Sequence, residues 1–179
     1  DPTVTTAHLR SPETSLSAAF ERAAGELRSH TVTVRELLEL IGEQGLLLMH
    51  ELLHYASGAR APIVMANVNR TVASPWAFWP DQTDSLAQRD TGWIQLYVES
   101  AQEALDTVIQ AFRIAEQVLL PVMVNLDAFY VSHALEPVSM PTQEQVDAYL
   151  PPFNPPQRLD TAQPSSWGNV VTPDMYYRH

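Results

Sequence analysis

His50 and His54 stand four residues apart with a glutamate between them, in the string His50-Glu51-Leu52-Leu53-His54. On a helix this spacing puts both imidazoles on one face beside a carboxylate, as a zinc hydrolase needs to hold its metal and activate water. A third ligand is required. The longer motif with Gly and His at set positions after the second histidine is absent, because the chain continues Tyr55-Ala56-Ser57-Gly58-Ala59-Arg60. Glu99 or Glu103 would serve in principle, although neither sits in a second motif. The competing reading is structural: one histidine hydrogen-bonds within a buried helix while the other faces solvent or a neighbouring subunit. The expectation is that no metal is bound, with His50 and His54 as ligands only under the zinc-hydrolase alternative.

The other chemistry-bearing groups follow apolar runs. Asn69-Arg70 comes directly after Pro62-Ile63-Val64-Met65-Ala66-Asn67-Val68, and Asp127-Ala128-Phe129 directly after the run 120–126. Continuous apolar runs of that length read as parallel strands covered on both faces. Ligands of such sheets lie at the carboxyl ends of the strands, which places both groups where chemistry is expected. Between them, residues 69–92 form a polar and aromatic stretch with Trp76, Phe78, Trp79, Asp81, Asp84 and Asp90. Loops that long inside a compact domain are usually functional.

The elements that must position these groups are legible. Ser11-Pro12-Glu13-Thr14 reads as a helix start, with apolar residues at helical spacing to about Arg28; a short strand at 30–34 and a helix at 35–41 follow. Residues 46–56 read as a helix apolar almost all the way round, the pattern of a buried helix, ended by Ser57-Gly58. Residues 93–98 suit a strand, and Ser100-Ala101-Gln102-Glu103 is a capping box leading a helix to about Val118. After Pro137 the chain is Pro-rich, with room for one short helix at 142–149, and is expected to wrap a neighbouring surface rather than build a core. The expected organisation is a divergent, mainly helical segment over 1–43, an α/β domain over 44–136 and a wrapping tail over 137–179. Strand and helix alternating from Pro62 onward indicate a mostly parallel sheet with flanking helices.

Composition narrows the partners. The 179 residues carry a net charge of −11 from 21 acidic and 10 basic residues, and every basic one is arginine. A surface of that sign repels nucleic-acid backbones and anionic lipid. Cysteine is absent, so these residues hold neither a disulfide nor a thiolate-ligated zinc or iron–sulfur cluster. No apolar run approaches the ~18 residues of a membrane helix and the start lacks a signal-peptide plan, so the expected compartment is the cytoplasm. A first residue of Asp1 rather than methionine suggests a processed or trimmed chain.

From Gln44 onward the segments QGLLLMHELLHYASGARAPIVMANVNR, then DQTDS, RDTGW and PVMVNLD, resemble in order and spacing the pyrimidine-binding domain of the α subunit of 2-oxoacid:ferredoxin oxidoreductases, such as pyruvate:ferredoxin oxidoreductase. The resemblance covers about residues 44–179 and accounts for HELLH as part of the family's helix. It implies thiamine diphosphate shared with a partner β subunit that holds the diphosphate and its magnesium. It also implies iron–sulfur clusters in partner chains, ferredoxin as acceptor, and coenzyme A and a 2-oxoacid as substrates; this chain binds none of the cofactors alone.

By the same resemblance Arg70 meets the substrate carboxylate, and Trp79 and Asp81 belong to the loop over the substrate pocket. A salt bridge from Arg70 to Asp81 or Asp84 is the structural alternative. The glutamate that contacts the aminopyrimidine corresponds to Glu13, which stands one position out of register when Ser17-Ala18-Ala19 is the anchor. The chain also stops before the second domain of a full α subunit, and without that glutamate in a competent position it is expected to be inactive alone. A non-catalytic scaffold derived from the same domain is the third reading.

Overall fold

The computed structural model describes residues 43–73, 75, 77–156, 158, 160–164 and 170–175. Helix 12–28, strand 30–34, helix 35–41 and Glu13 lie outside the described residues. The elements are α1 (Glu43–Leu48), α2 (His50–Gly58), β1 (Val64–Asn69), α3 (Thr83–Leu86), β2 (Ile94–Val98), α4 (Ala101–Val118), β3 (Val122–Asp127) and α5 (Gln143–Tyr149). The three strands form one parallel sheet in the order β1-β3-β2. The expected α/β architecture with a parallel sheet is what the chain adopts.

β3 is central because its residues satisfy both faces. Val122, Val124 and Leu126 pack with Val64, Val98 and the α4 residues Ala104, Val108, Ala111 and Ala115. On the opposite face Met65 and Met123 pack with Leu46, Leu53 and Trp93. The period-2 alternation of a strand makes this division. Each fully buried aliphatic side chain contributes about 1.5–3 kcal/mol relative to exposure. α4 lies on the sheet through residues spaced three and four apart, from Ala101 to Ala115. Its N-cap Ser100 accepts the Glu103 N–H, as expected, while the Glu103 carboxylate takes the Glu99 N–H at 2.9 Å.

Three expectations need correction. The helix read over 46–56 turns at Met49 and divides into α1 and α2. It is not buried all round: Leu48, Leu52 and Tyr55 are 88%, 63% and 61% exposed, while Leu46 and Leu53 are buried. The sheet offers these helices one face, so only one stripe of each is covered. The loop over 69–92 contains the short helix α3, whose turn begins where Asp81 Oδ1 accepts the Thr83 N–H at 2.6 Å.

The Pro-rich segment lies along the chain's own α4. Glu136 accepts the Ala101 N–H at 3.0 Å, Ser139 and Gln102 exchange two hydrogen bonds, and Arg113 donates to the Tyr149 carbonyl at 2.6 Å. α5 starts with a capping box at Thr142 and Gln145 and buries no residue, so polar contacts hold it rather than a core.

Candidate functional site

The register pairs Asn69 with Asp127 and Val98 with Leu126, which brings the carboxyl ends of all three strands to one edge. Alternation along β1 places Asn67 and Asn69 on the face that also carries Met65, and Asn125 of β3 joins them beside Met123. These three amides are buried. They would be costly there without partners, and α3 supplies a carboxylate.

Asp84 is completely buried and accepts four N–H groups. Its Oδ1 takes Asn69 Nδ2 at 2.9 Å and the Ser85 N–H at 2.7 Å. Its Oδ2 takes the Arg70 N–H at 3.1 Å and Asn67 Nδ2 at 3.4 Å. Burial pushes the Asp84 carboxyl above its ordinary value of 3.8, while these four hydrogen bonds pull the other way. The network extends sideways: Asn67 donates to Asn125 at 3.0 Å, and Asn125 donates to the Leu96 carbonyl at 3.2 Å. Asn69 also donates to Ser85 Oγ at 2.8 Å, and Ser85 Oγ meets the Tyr97 hydroxyl at 2.9 Å. Asp84 thus ties the end of β1, the loop after it and α3 into one unit.

Arg70 is the first residue beyond β1, and Asp84 fixes its backbone. What reaches Asp84 is the Arg70 backbone N–H, not the guanidinium of the alternative salt bridge. The guanidinium carbon lies 5.7 Å from the Phe78 ring centroid, a cation–π distance. Its Nε is buried and has no hydrogen-bond partner. An orphaned buried polar atom costs about 1–3 kcal/mol, and the side-chain oxygens of Asn67 and Asn69 are likewise buried without a partner.

The loops after β1 and β3 meet through aromatic rings. Trp79 packs on Phe129 at 5.9 Å, and Phe129 stacks on His133 at 4.8 Å. Phe129 adopts a left-handed backbone at φ 64°, in the turn after β3. Asp127 accepts Gln82 Nε2 at 2.9 Å and so joins β3 to the loop that precedes α3. Of the residues picked out in the sequence, Arg70 and Trp79 lie on the loops of this edge. Asp81 shapes the turn into α3, and Glu13 is outside the described residues.

In the sequence Asn69 stands out only by its place at a strand end and Asp84 only as a possible salt-bridge partner, while Asn67, Asn125, Gln82 and Tyr97 carry no role. The available signal was the alternation of asparagines with apolar residues in Asn67-Val68-Asn69. Amides inside an otherwise buried strand demand a polar partner.

His50 and His54 sit away from these contacts, with ring centroids 5.0 Å apart. His50 Nδ1 bonds Gln88 Oε1 at 2.6 Å, and both histidines are exposed. The acidic residue that approaches them is Asp90, rather than the Glu99 or Glu103 considered in the sequence.

Fold and edge together define an α/β domain with a parallel sheet and an arginine just beyond the carboxyl end of its first strand. The family model described as "Pyruvate flavodoxin/ferredoxin oxidoreductase, thiamine diP-bdg" matches residues 42–179, and the chain belongs to this family. It is 46% identical over 170 residues to the pyruvate synthase subunit PorA of Methanothermobacter thermautotrophicus, covering 94% of this chain and 42% of that protein. The ketoisovalerate oxidoreductase subunit VorA of Pyrococcus horikoshii is likewise 46% identical over 170 residues, covering 94% of this chain and 41% of the relative. PorA of Methanocaldococcus jannaschii is 46% identical over 171 residues, with 94% and 42% covered.

The chain therefore spans about two fifths of the length of the relatives it matches. Coverage of 94% leaves about 11 of the 179 residues unaligned (6% of 179), so these alignments reach well into the segment before Gln44. Among the described residues no helix is long and apolar enough to cross a membrane.

Proposed function

We propose that this chain is the substrate-side part of the α subunit of a thiamine-diphosphate-dependent 2-oxoacid:ferredoxin oxidoreductase. The reaction converts a 2-oxoacid and coenzyme A to acyl-coenzyme A and carbon dioxide, with two electrons passing to ferredoxin. The observation that carries this reading is Arg70, with a buried, unpartnered Nε on the loop edge of a parallel sheet. The names of the relatives, pyruvate synthase and ketoisovalerate oxidoreductase, support a 2-oxoacid as substrate.

A 2-oxoacid presents a planar carboxylate, and a guanidinium meets it with two parallel N–H donors. Arg70 binds that carboxylate and orients the neighbouring carbonyl. Its position is set from behind, since Asp84 fixes its backbone and Phe78 lies under its guanidinium. Trp79 and Phe129 pack on each other at the same edge, where they would limit the size of the substrate side chain. Thiamine diphosphate, when bound, supplies the electron sink for loss of carbon dioxide. Glu13 is the candidate for the hydrogen bond to the aminopyrimidine. The partner β subunit is the proposed holder of the diphosphate and its magnesium. Cysteine-ligated clusters must lie outside these residues, which contain no cysteine.

Arg70→Ala in the assembled enzyme tests the reading. Loss of a charge-assisted contact of about 1.5–3 kcal/mol lowers kcat/KM for the 2-oxoacid on the order of 10–100-fold, with thiamine diphosphate affinity unchanged. An unaltered kcat/KM removes Arg70 from the substrate site.

A further inference from the structure

The two histidines of HELLH take no part in the proposed chemistry, yet the structure gives them a third neighbour. His50 and His54 occupy positions i and i+4 of α2, with their rings edge to face. Asp90 comes from the loop between α3 and β2. One ligand atom from each of the three residues lies within 4.8 Å of the others.

The loop is tied to α2 at several points. Ser57 Oγ donates to the Thr91 carbonyl at 2.6 Å, and Trp93 Nε1 donates to the Leu53 carbonyl at 2.9 Å. Gln88, which is buried, holds His50 Nδ1 at 2.6 Å through Oε1. An amide oxygen only accepts, so Nδ1 is the donor in this bond and Nε2 is the nitrogen that the neutral ring offers to a metal. Metal-bound histidines are oriented by an outer hydrogen bond of this kind.

We propose that His50, His54 and Asp90 bind a zinc-class divalent transition metal that fastens α2 to the loop at 89–93. Two imidazoles and one carboxylate are a zinc donor set, whereas magnesium and calcium prefer oxygen throughout. Zinc bonds of about 2.0–2.2 Å place tetrahedral ligand atoms roughly 3.4 Å apart. Closing the group takes side-chain rotation of about 1–1.5 Å, within reach of exposed residues whose backbones are already held. A fourth position is left for water. The three residues are exposed and Glu51 is not in the group, so the metal acts as a cross-link and the site lacks the dry cleft of a hydrolase.

The test is calorimetric titration of zinc into untagged, chelator-stripped protein, with magnesium in excess. His54→Ala, Asp90→Ala and the double variant are compared with His133→Ala as control. One zinc per chain is expected, beyond any retained by the double variant, and the His133 variant keeps it. Each single variant weakens binding by at least the ~10–100-fold that loss of an outer-shell partner costs. Cobalt in place of zinc gives a tetrahedral absorption spectrum that the double variant lacks. Both side chains are exposed, and circular dichroism confirms that the variants fold. Absence of saturable zinc binding, or zinc of equal affinity and stoichiometry in the double variant, overturns the proposal.

Discussion

Replacing Asp84 with alanine removes four acceptors at once from the centre of the buried network. Two of the four donors keep a second partner, since Asn67 also donates to Asn125 and Asn69 to Ser85 Oγ. The backbone N–H groups of Arg70 and Ser85 lose the acceptor the carboxylate provided. An unpaired buried N–H costs about 1–3 kcal/mol, so the two together cost about 2–6 kcal/mol. Relief from burying the carboxylate offsets part of this, which gives an expected loss of about 2–4 kcal/mol.

The pH dependence has a definite sign. Burial raises the Asp84 carboxyl above 3.8, so the folded protein binds this proton more tightly than the unfolded chain. Its stability contribution is complete below the unfolded value and is lost as pH rises through the folded one. The gap between wild type and Asp84→Ala is therefore widest at the acid end and narrows as pH climbs above 3.8. Urea denaturation of the purified protein across a pH series measures both quantities. A loss under about 0.5 kcal/mol, within the range of an ordinary surface substitution, or a gap that widens with rising pH, refutes the reasoning.

Gly92→Ala destabilises the loop that carries Asp90. Gly92 has φ 82°, and an added Cβ would stand 2.9 Å from Ser57 Oγ, whose own bond to Thr91 restrains it. The expected cost is about 1–3 kcal/mol, read by the same denaturation. Arg113→Ala frees the tail: it removes the hydrogen bond to the Tyr149 carbonyl and a cation–π contact at 4.7 Å. Amide exchange over 143–149 speeds up while global stability changes by less than about 1 kcal/mol, because α5 contributes no buried residue.

The sequence by itself determined the parts whose signals are local. The apolar runs ending at Asn69 and Asp127 declared two parallel strands, and Ser100 and Thr142 declared two helix starts, because strand alternation and capping depend on neighbours a few residues away. The ordered motifs from Gln44 onward declared the family; the place of Arg70 after a strand put it on the carboxyl edge, and the resemblance suggested its role. Tertiary structure alone decided what the long-range partners are. Nothing within a few residues of Asn67 and Asn69 foretells Asp84, 15 to 17 residues on, as the acceptor of their amides. Nor does HELLH disclose Asp90, which reaches α2 only because Thr91, Gln88 and Trp93 are tied to it. The same holds for the apolar residues of α1 and α2. Periodicity shows that Leu46, Leu48, Leu52 and Leu53 are hydrophobic, but which of them are covered depends on how many sheet faces the fold supplies.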